Sequence, residues 1–154
     1  MRGRGLMLSA AIAIAAPACV PGAKDTPQPG GVMAPAIVDP YLKIQSALAR
    51  DVIDDVKANA GNIATAATAL GAPGVRIDMA AVQLTAASDL AEARDRFGAL
   101  SDAIITYMDG LHLRPPPGVR VAFCPMVKKS WLQDGSTIAN PYYGSEMPTC
   151  GDFR

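Results

Sequence analysis

Two short runs near the C-terminus carry the side chains best suited to chemistry: Cys124-Pro125-Met126 and Met147-Pro148-Thr149-Cys150. Thiolate and thioether sulfurs are soft, polarisable donors, which select Cu(I) over hard cations. Ag(I) and Hg(II) are the alternatives. Four such sulfurs on two loops can surround one ion if a turn brings the loops together. Asn140-Pro141-Tyr142-Tyr143-Gly144 supplies that turn, because proline presets φ and glycine admits positive φ. Pro125 and Pro148 stiffen the loops. Trp131, Tyr142 and Tyr143 are expected to shield the site, and an indole face tolerates a nearby cation. The candidate metal ligands are therefore Cys124, Met126, Met147 and Cys150.

A plainer chemistry fits the same residues. In an oxidising compartment Cys124 and Cys150 form a disulfide, and closing that loop is worth roughly 3 to 4 kcal/mol in the chain-entropy account. Methionines beside such a bridge then serve as core filler. Composition leaves the metal site and the disulfide both open. They are also compatible, since a reducible pair can admit or release metal with its redox state.

Other candidates carry less. His112 is the only histidine and sits at the end of a helical run. It is either a fifth ligand or an exposed residue that favours the helix dipole. Met79 and Met108 fall on helical seams and are expected in the core, and Met33 lies in a Pro/Gly-rich stretch. Asp51, Asp54 and Asp55 lack the loop spacing that a hard cation needs, so they read as a cap and a solvated face. One histidine assembles no Ser-His-Asp or Cys-His arrangement. A phosphate-cradling glycine loop and paired Cys-x-x-Cys zinc spacing are also missing from the sequence. Catalysis is not expected.

The elements that must position the sulfurs read as helices first. Asp39-Pro40 is expected to open one, as an N-cap carboxylate followed by proline. Tyr41, Ile44, Leu48, Val52 and Val56 continue at spacings of three and four, with Asp51 placed to recap the chain and divide this run in two. Ile63, Ala67 and Leu70 follow until Gly71-Ala72-Pro73-Gly74. A third helix is expected near Asp78, with Met79 and Val82 on its inner face. Asp89-x-x-Glu92 has the form of a capping box. Behind it Leu90, Ala93, Phe97, Leu100, Ile104, Tyr107 and Leu111 form the seam of a bundle helix, which Arg114 and Pro115-Pro116-Pro117 end. Val119 to Phe123 then alternates like a short strand. The expected fold is mostly α: an antiparallel bundle of about four helices with a C-terminal loop or short β-hairpin bearing the Cys/Met segment.

The N-terminus has Arg2 and Arg4, an apolar stretch from Leu6 to Ala16, and Ala16-Pro17-Ala18 before Cys19. That order is a secretory signal, and the stretch is shorter than the roughly 20 residues a bilayer span requires. Cys19 directly after small residues resembles the lipobox of bacterial lipoproteins, with Ala16 where that family prefers leucine. Ordinary signal-peptidase cleavage exposes the same cysteine. The expected organisation is a signal over 1–18, a flexible Pro/Gly-rich tether over 19–38 and a domain over 39–154, with Cys19 as the lipidated residue. Fourteen basic residues less the two in the leader leave twelve against fourteen acidic ones. Such a balance excludes a basic nucleic-acid face, and contact with a membrane is expected only through the anchor.

Taken together, Cys124-Pro125-Met126, Trp131-Leu132-Gln133, Ile138-x-Asn140-Pro141-Tyr142-Tyr143-Gly144 and Met147-x-x-Cys150-Gly151 resemble a bacterial domain family of formally unknown function. Tyr41-Leu42 and Phe97-x-x-Leu100-Ser101 extend the similarity into the helices. The resemblance runs from about Pro40 to the C-terminus. That family occurs alone in exported proteins and lipoproteins, and fused to periplasmic adaptor subunits of copper and silver efflux systems. The resemblance implies a helical bundle with a Cys/Met heavy-metal site at Cys124, Met126, Met147 and Cys150, periplasmic residence, and a heavy-metal efflux component as partner. Two positions depart from the pattern. Val127-Lys128-Lys129-Ser130 stands where an alanine-rich, Gly-containing stretch is usual, and Pro148 replaces an aliphatic residue.

Overall fold

A computed structural model describes residues 30–154. The expected signal, Cys19 and the tether up to residue 29 lie outside the described residues. Among the described residues, four helices and three short strands make up the fold.

The chain enters along the end of the last helix. The Gly30 N–H donates to the Leu111 carbonyl, and Val32 forms a parallel bridge with Arg114. Met33 is fully buried, as is Ile37. Helix α1 spans Pro35–Ala49, with Pro35 in its first turn and Pro40 inside it. The expected start at Asp39-Pro40 is therefore one turn late, and the tether does not reach residue 38. Burial of Met33, Ile37 and Val38 outweighs the N–H that Pro40 lacks. Asp39 caps nothing, because the N-cap position belongs to Ala34. Met33 belongs to the core and not to a tether.

The chain breaks after Ala49 as expected, by a different device. Asp51 and Asp55 both take left-handed backbone, at φ 60° and 46°. Asp51 does not recap the chain; its carboxylate reaches across to Arg94 and Ser145. Helix α2 spans Val56–Ala67, and two 3-10 turns at Thr68–Leu70 and Ala72–Gly74 lead into α3, Val75–Thr85. The buried face of α3 is Ile77, Ala80, Ala81 and Leu84. Met79 and Val82 point outward at 57% and 52% exposure, so the expected inner face is the outer one. The helix is apolar on two sides, and contact with α2 and α4 selects the Ile77/Leu84 side. Met108 is core, as expected.

Helix α4 spans Leu90–Gly110. Asp89 Oδ1 accepts from the Glu92 N–H at 2.8 Å, while Glu92 returns the bond to Ser88 rather than to Asp89. The capping box thus closes one residue further out. At the other end the His112 N–H donates to the Asp109 carbonyl and the Leu113 N–H to the Met108 carbonyl. This is a Schellman stop with His112 at the left-handed position, φ 52°.

Strands β1 (Val119–Cys124) and β2 (Lys129–Asp134) form a hairpin, and β3 (Asp152–Phe153) pairs on the other side of β1. All pairing is antiparallel. Each helix packs on the next in sequence, and β2 packs against both α1 and α4. An aromatic cluster joins the two layers. Tyr41 stacks on Phe97 at 4.9 Å between centroids, Phe97 meets Tyr142 at 6.0 Å, and Trp131 meets Tyr142 edge-on at 5.8 Å. Such pairs add about 0.5–1.5 kcal/mol each beyond the area they bury. The Tyr41 hydroxyl bonds with Ser101 at 2.6 Å and accepts from the Leu132 N–H at 3.2 Å, tying α1, α4 and β2 at one buried point. Burial chiefly, against those bonds, holds the Tyr41 hydroxyl neutral well above the usual tyrosine range. No helix among the described residues is long and apolar enough to cross a membrane.

Candidate metal centre

The register of the hairpin creates the first half of the site. Cys124 pairs with Lys129, so Pro125 to Lys128 form the turn. Proline after the cysteine fits this turn, and Lys128 completes it in left-handed backbone at φ 54°. Hydrogen bonding from the Val127 and Met126 main chain favours the Cys124 thiolate. Met126 itself is 65% exposed.

The second half is a turn closed by the Cys150 N–H on the Met147 carbonyl at 3.2 Å. Met147 and Cys150 thus stand on one turn, as Cys124 and Met126 do on the other. Met147 is half-buried and outside the core cluster. Gly151 passes so close to β1 that an added Cβ would lie 2.8 Å from the Phe123 carbonyl and 2.9 Å from the Trp131 ring. Its φ of 133° also suits glycine alone. Beyond it β3 holds the chain: the Arg154 N–H donates to the Val121 carbonyl, and Arg120 lies 3.5 Å over the Phe153 ring.

Asn140 joins the halves. It is fully buried. Its Nδ2 donates to the Cys150 carbonyl at 2.7 Å. Oδ1 accepts from the Tyr142 and Tyr143 N–H groups at 2.8 and 3.2 Å. Its own N–H donates to the Pro148 carbonyl. One residue thereby fixes the turn and the second loop. Arg94 supports the same turn from α4, donating to the Pro141 and Leu48 carbonyls and pairing with Asp51. Gly144, at φ 53°, lies against that pair with no room for a side chain.

The result is a sulfur-to-sulfur contact of 2.9 Å between Cys124 and Cys150. Cys124 is fully buried and Cys150 half-buried. Burial pushes the Cys124 thiol up, but the bonds from Cys150, Val127, Met126 and Asn140 outweigh it, and the thiol is held below its usual range. Cys150 is held above its range, first by its bond to Cys124 and then by burial. Trp131 and Tyr142 are buried, and Tyr143 is half-buried.

The structure therefore brings Cys124 and Cys150 together and roots Met126 and Met147 on the same two turns. His112 is separate, about 20 Å of helix beyond Gly98, against which Lys129 packs. It terminates α4 and is exposed. Among the described residues no group of three or more His, Cys, Asp or Glu is placed to hold a metal ion. Sequence reasoning assigned Asn140 only to a turn and missed its role as a clip. The Asn-Pro pair, which favours an Asx turn, was the available signal. No protein-family model matches the chain, and no curated protein or solved structure is significantly similar to it.

Proposed function

We propose that the chain is an exported soft-metal binding protein that holds Cu(I), with Ag(I) and Hg(II) as alternative ions, and buffers it or passes it to a heavy-metal efflux component. One observation carries the reading: two cysteine sulfurs in contact at 2.9 Å, between two turns whose methionines both lie outside the core. A methionine kept for packing is buried, whereas Met126 is 65% exposed. Two thiolates and up to two thioethers form a soft, low-coordinate donor set. The backbone amides on Cys124 stabilise the deprotonated form that binds metal. Release to a partner is ligand exchange between sulfurs and needs no catalytic base. The Arg-led apolar start and Cys19 support residence in the periplasm on a lipid anchor, which palmitate labelling of wild type against Cys19→Ser tests.

The second reading is a lipoprotein interaction module stapled by Cys124–Cys150, and the short contact between the sulfurs favours it. Anaerobic Cu(I) titration against a chromogenic chelator separates the two. Reduced wild type is expected to bind about one ion, and the Cys124→Ser/Cys150→Ser double variant none at the same chelator concentration. Met126→Leu with Met147→Leu is expected to weaken binding at least tenfold, about 1.4 kcal/mol. Wild-type binding no tighter than that of the cysteine double variant refutes the metal reading and leaves the staple.

A further inference from the structure

The two cysteines differ in access although their sulfurs touch. We infer that they form an ordered thiol–disulfide switch that closes the metal site, with Cys150 as the entry thiol and Cys124 as the resolving thiol. This rests on the proposed metal-binding reading for the consequence of closure, though not for the order of the thiols.

The geometry carries it in three steps. Cys124 ends β1 beneath the hairpin turn and has no exposed surface, whereas Cys150 stands half-buried on its turn. An external disulfide, small or protein-borne, therefore reaches Cys150 first. The backbones are held on both sides, by the Cys124–Lys129 register and by Asn140 on the Cys150 carbonyl. Small side-chain rotations thus decide what the sulfurs do next. From 2.9 Å, a disulfide bond at about 2.05 Å requires approach by less than an ångström. Two thiolates sharing one ion must instead spread to about 3.8 Å at a tetrahedral angle and the roughly 2.3 Å of a zinc–thiolate bond, and further at the wider angle of a low-coordinate ion. The two states demand opposite movements and cannot coexist.

The exchange balances without a further oxidant. The Cys150 thiol loses its proton to solvent and attacks one sulfur of the disulfide R–S–S–R, whose S–S bond breaks and expels one thiolate. The Cys124 thiol loses its proton and attacks the Cys150 sulfur, expelling the second thiolate. Two protein thiols are oxidised, one disulfide is reduced to two thiols, and both protons end on the expelled sulfurs. Any ion held by the cysteines loses both thiolates.

Oxidised glutathione is the test oxidant, and Ag(I), which undergoes no redox change here, is the probe for binding. Under native conditions wild type is expected to form the intrachain bond. Cys124→Ala is expected to accumulate a mixed disulfide at Cys150, and Cys150→Ala to react at least tenfold more slowly. In urea the two single variants should react alike, which shows that the native difference comes from burial and not from misfolding. Oxidised wild type is expected to lose Ag(I) affinity at least tenfold and to recover it on reduction. Equal native rates for the two variants overturn the order of the thiols. Undiminished Ag(I) binding after oxidation overturns the gate. Absence of Ag(I) binding by reduced wild type overturns the metal reading and the gate with it, while the order of the thiols is still decided by the mixed-disulfide rates.

Discussion

Replacing Asn140 with alanine tests how the site is held. The side chain has no exposed surface and serves three main-chain groups directly: the Cys150 carbonyl at 2.7 Å and the Tyr142 and Tyr143 N–H groups at 2.8 and 3.2 Å. Each bond is worth about 1 kcal/mol net, and a buried partner left dry costs about 1–3 kcal/mol. The partners share one turn, so their losses are not additive. Asn140→Ala is therefore expected to destabilise the reduced protein by about 3–5 kcal/mol. For a domain of this size that lowers Tm by roughly 10–20 °C. Thermal and urea unfolding with excess reductant measure it, and reduction keeps the cysteine pair from masking the loss. The same variant is expected to bind Cu(I) about 10–100-fold more weakly, as when a group that orients a ligand is removed. A stability loss below about 1 kcal/mol refutes the clip. Normal Cu(I) affinity in the folded variant would mean that β1 and the hairpin turn position the sulfurs without it.

Two further outcomes follow from the loops and caps. The Ser145 hydroxyl, then the Arg94 guanidinium and the Ser145 N–H, hold the Asp51 carboxylate below its usual range. A depressed folded-state value stabilises the fold above the unfolded pKa of about 4 and is lost as pH falls through the folded value. The stability gap between wild type and Asp51→Asn should accordingly be open at pH 7 and narrow as pH falls below about 4. A gap that does not change with pH would contradict the pairing. At the end of α4, His112→Gly is expected to raise stability by about 0.5–1 kcal/mol by relieving left-handed backbone at φ 52°. Calorimetry of the two proteins measures it, and a lower Tm for the glycine variant would refute the assigned stop.

Much of the helical half was legible in the residues themselves. Leu90, Ala93, Phe97, Leu100, Ile104 and Tyr107 repeat at the helical period long enough to leave one reading, although the helix stops at Gly110, ahead of the left-handed His112, and not at Arg114 and the prolines. The break after Ala49 and the strand from Val119 were legible too. Local rules failed where packing overrode them. Asp39-Pro40 satisfies the local signature of a helix start, yet the buried Met33 and Ile37 draw the helix back to Pro35. Met79 has the spacing of a core residue, but α3 is apolar on two faces and its neighbours decide which is buried.

By itself, the sequence determined which atoms are available for chemistry: two cysteine and two methionine sulfurs on Pro-bearing turns, with one histidine elsewhere. Their types and spacing are covalent facts that need no fold. Only the tertiary structure decided that Cys124 and Cys150, 26 residues apart, meet at 2.9 Å with one buried and the other accessible. Distance and access across that separation come from the β1–β3 pairing, the Asn140 hydrogen bonds and the close passage of Gly151 over Trp131. Those are long-range contacts, and no local pattern encodes them.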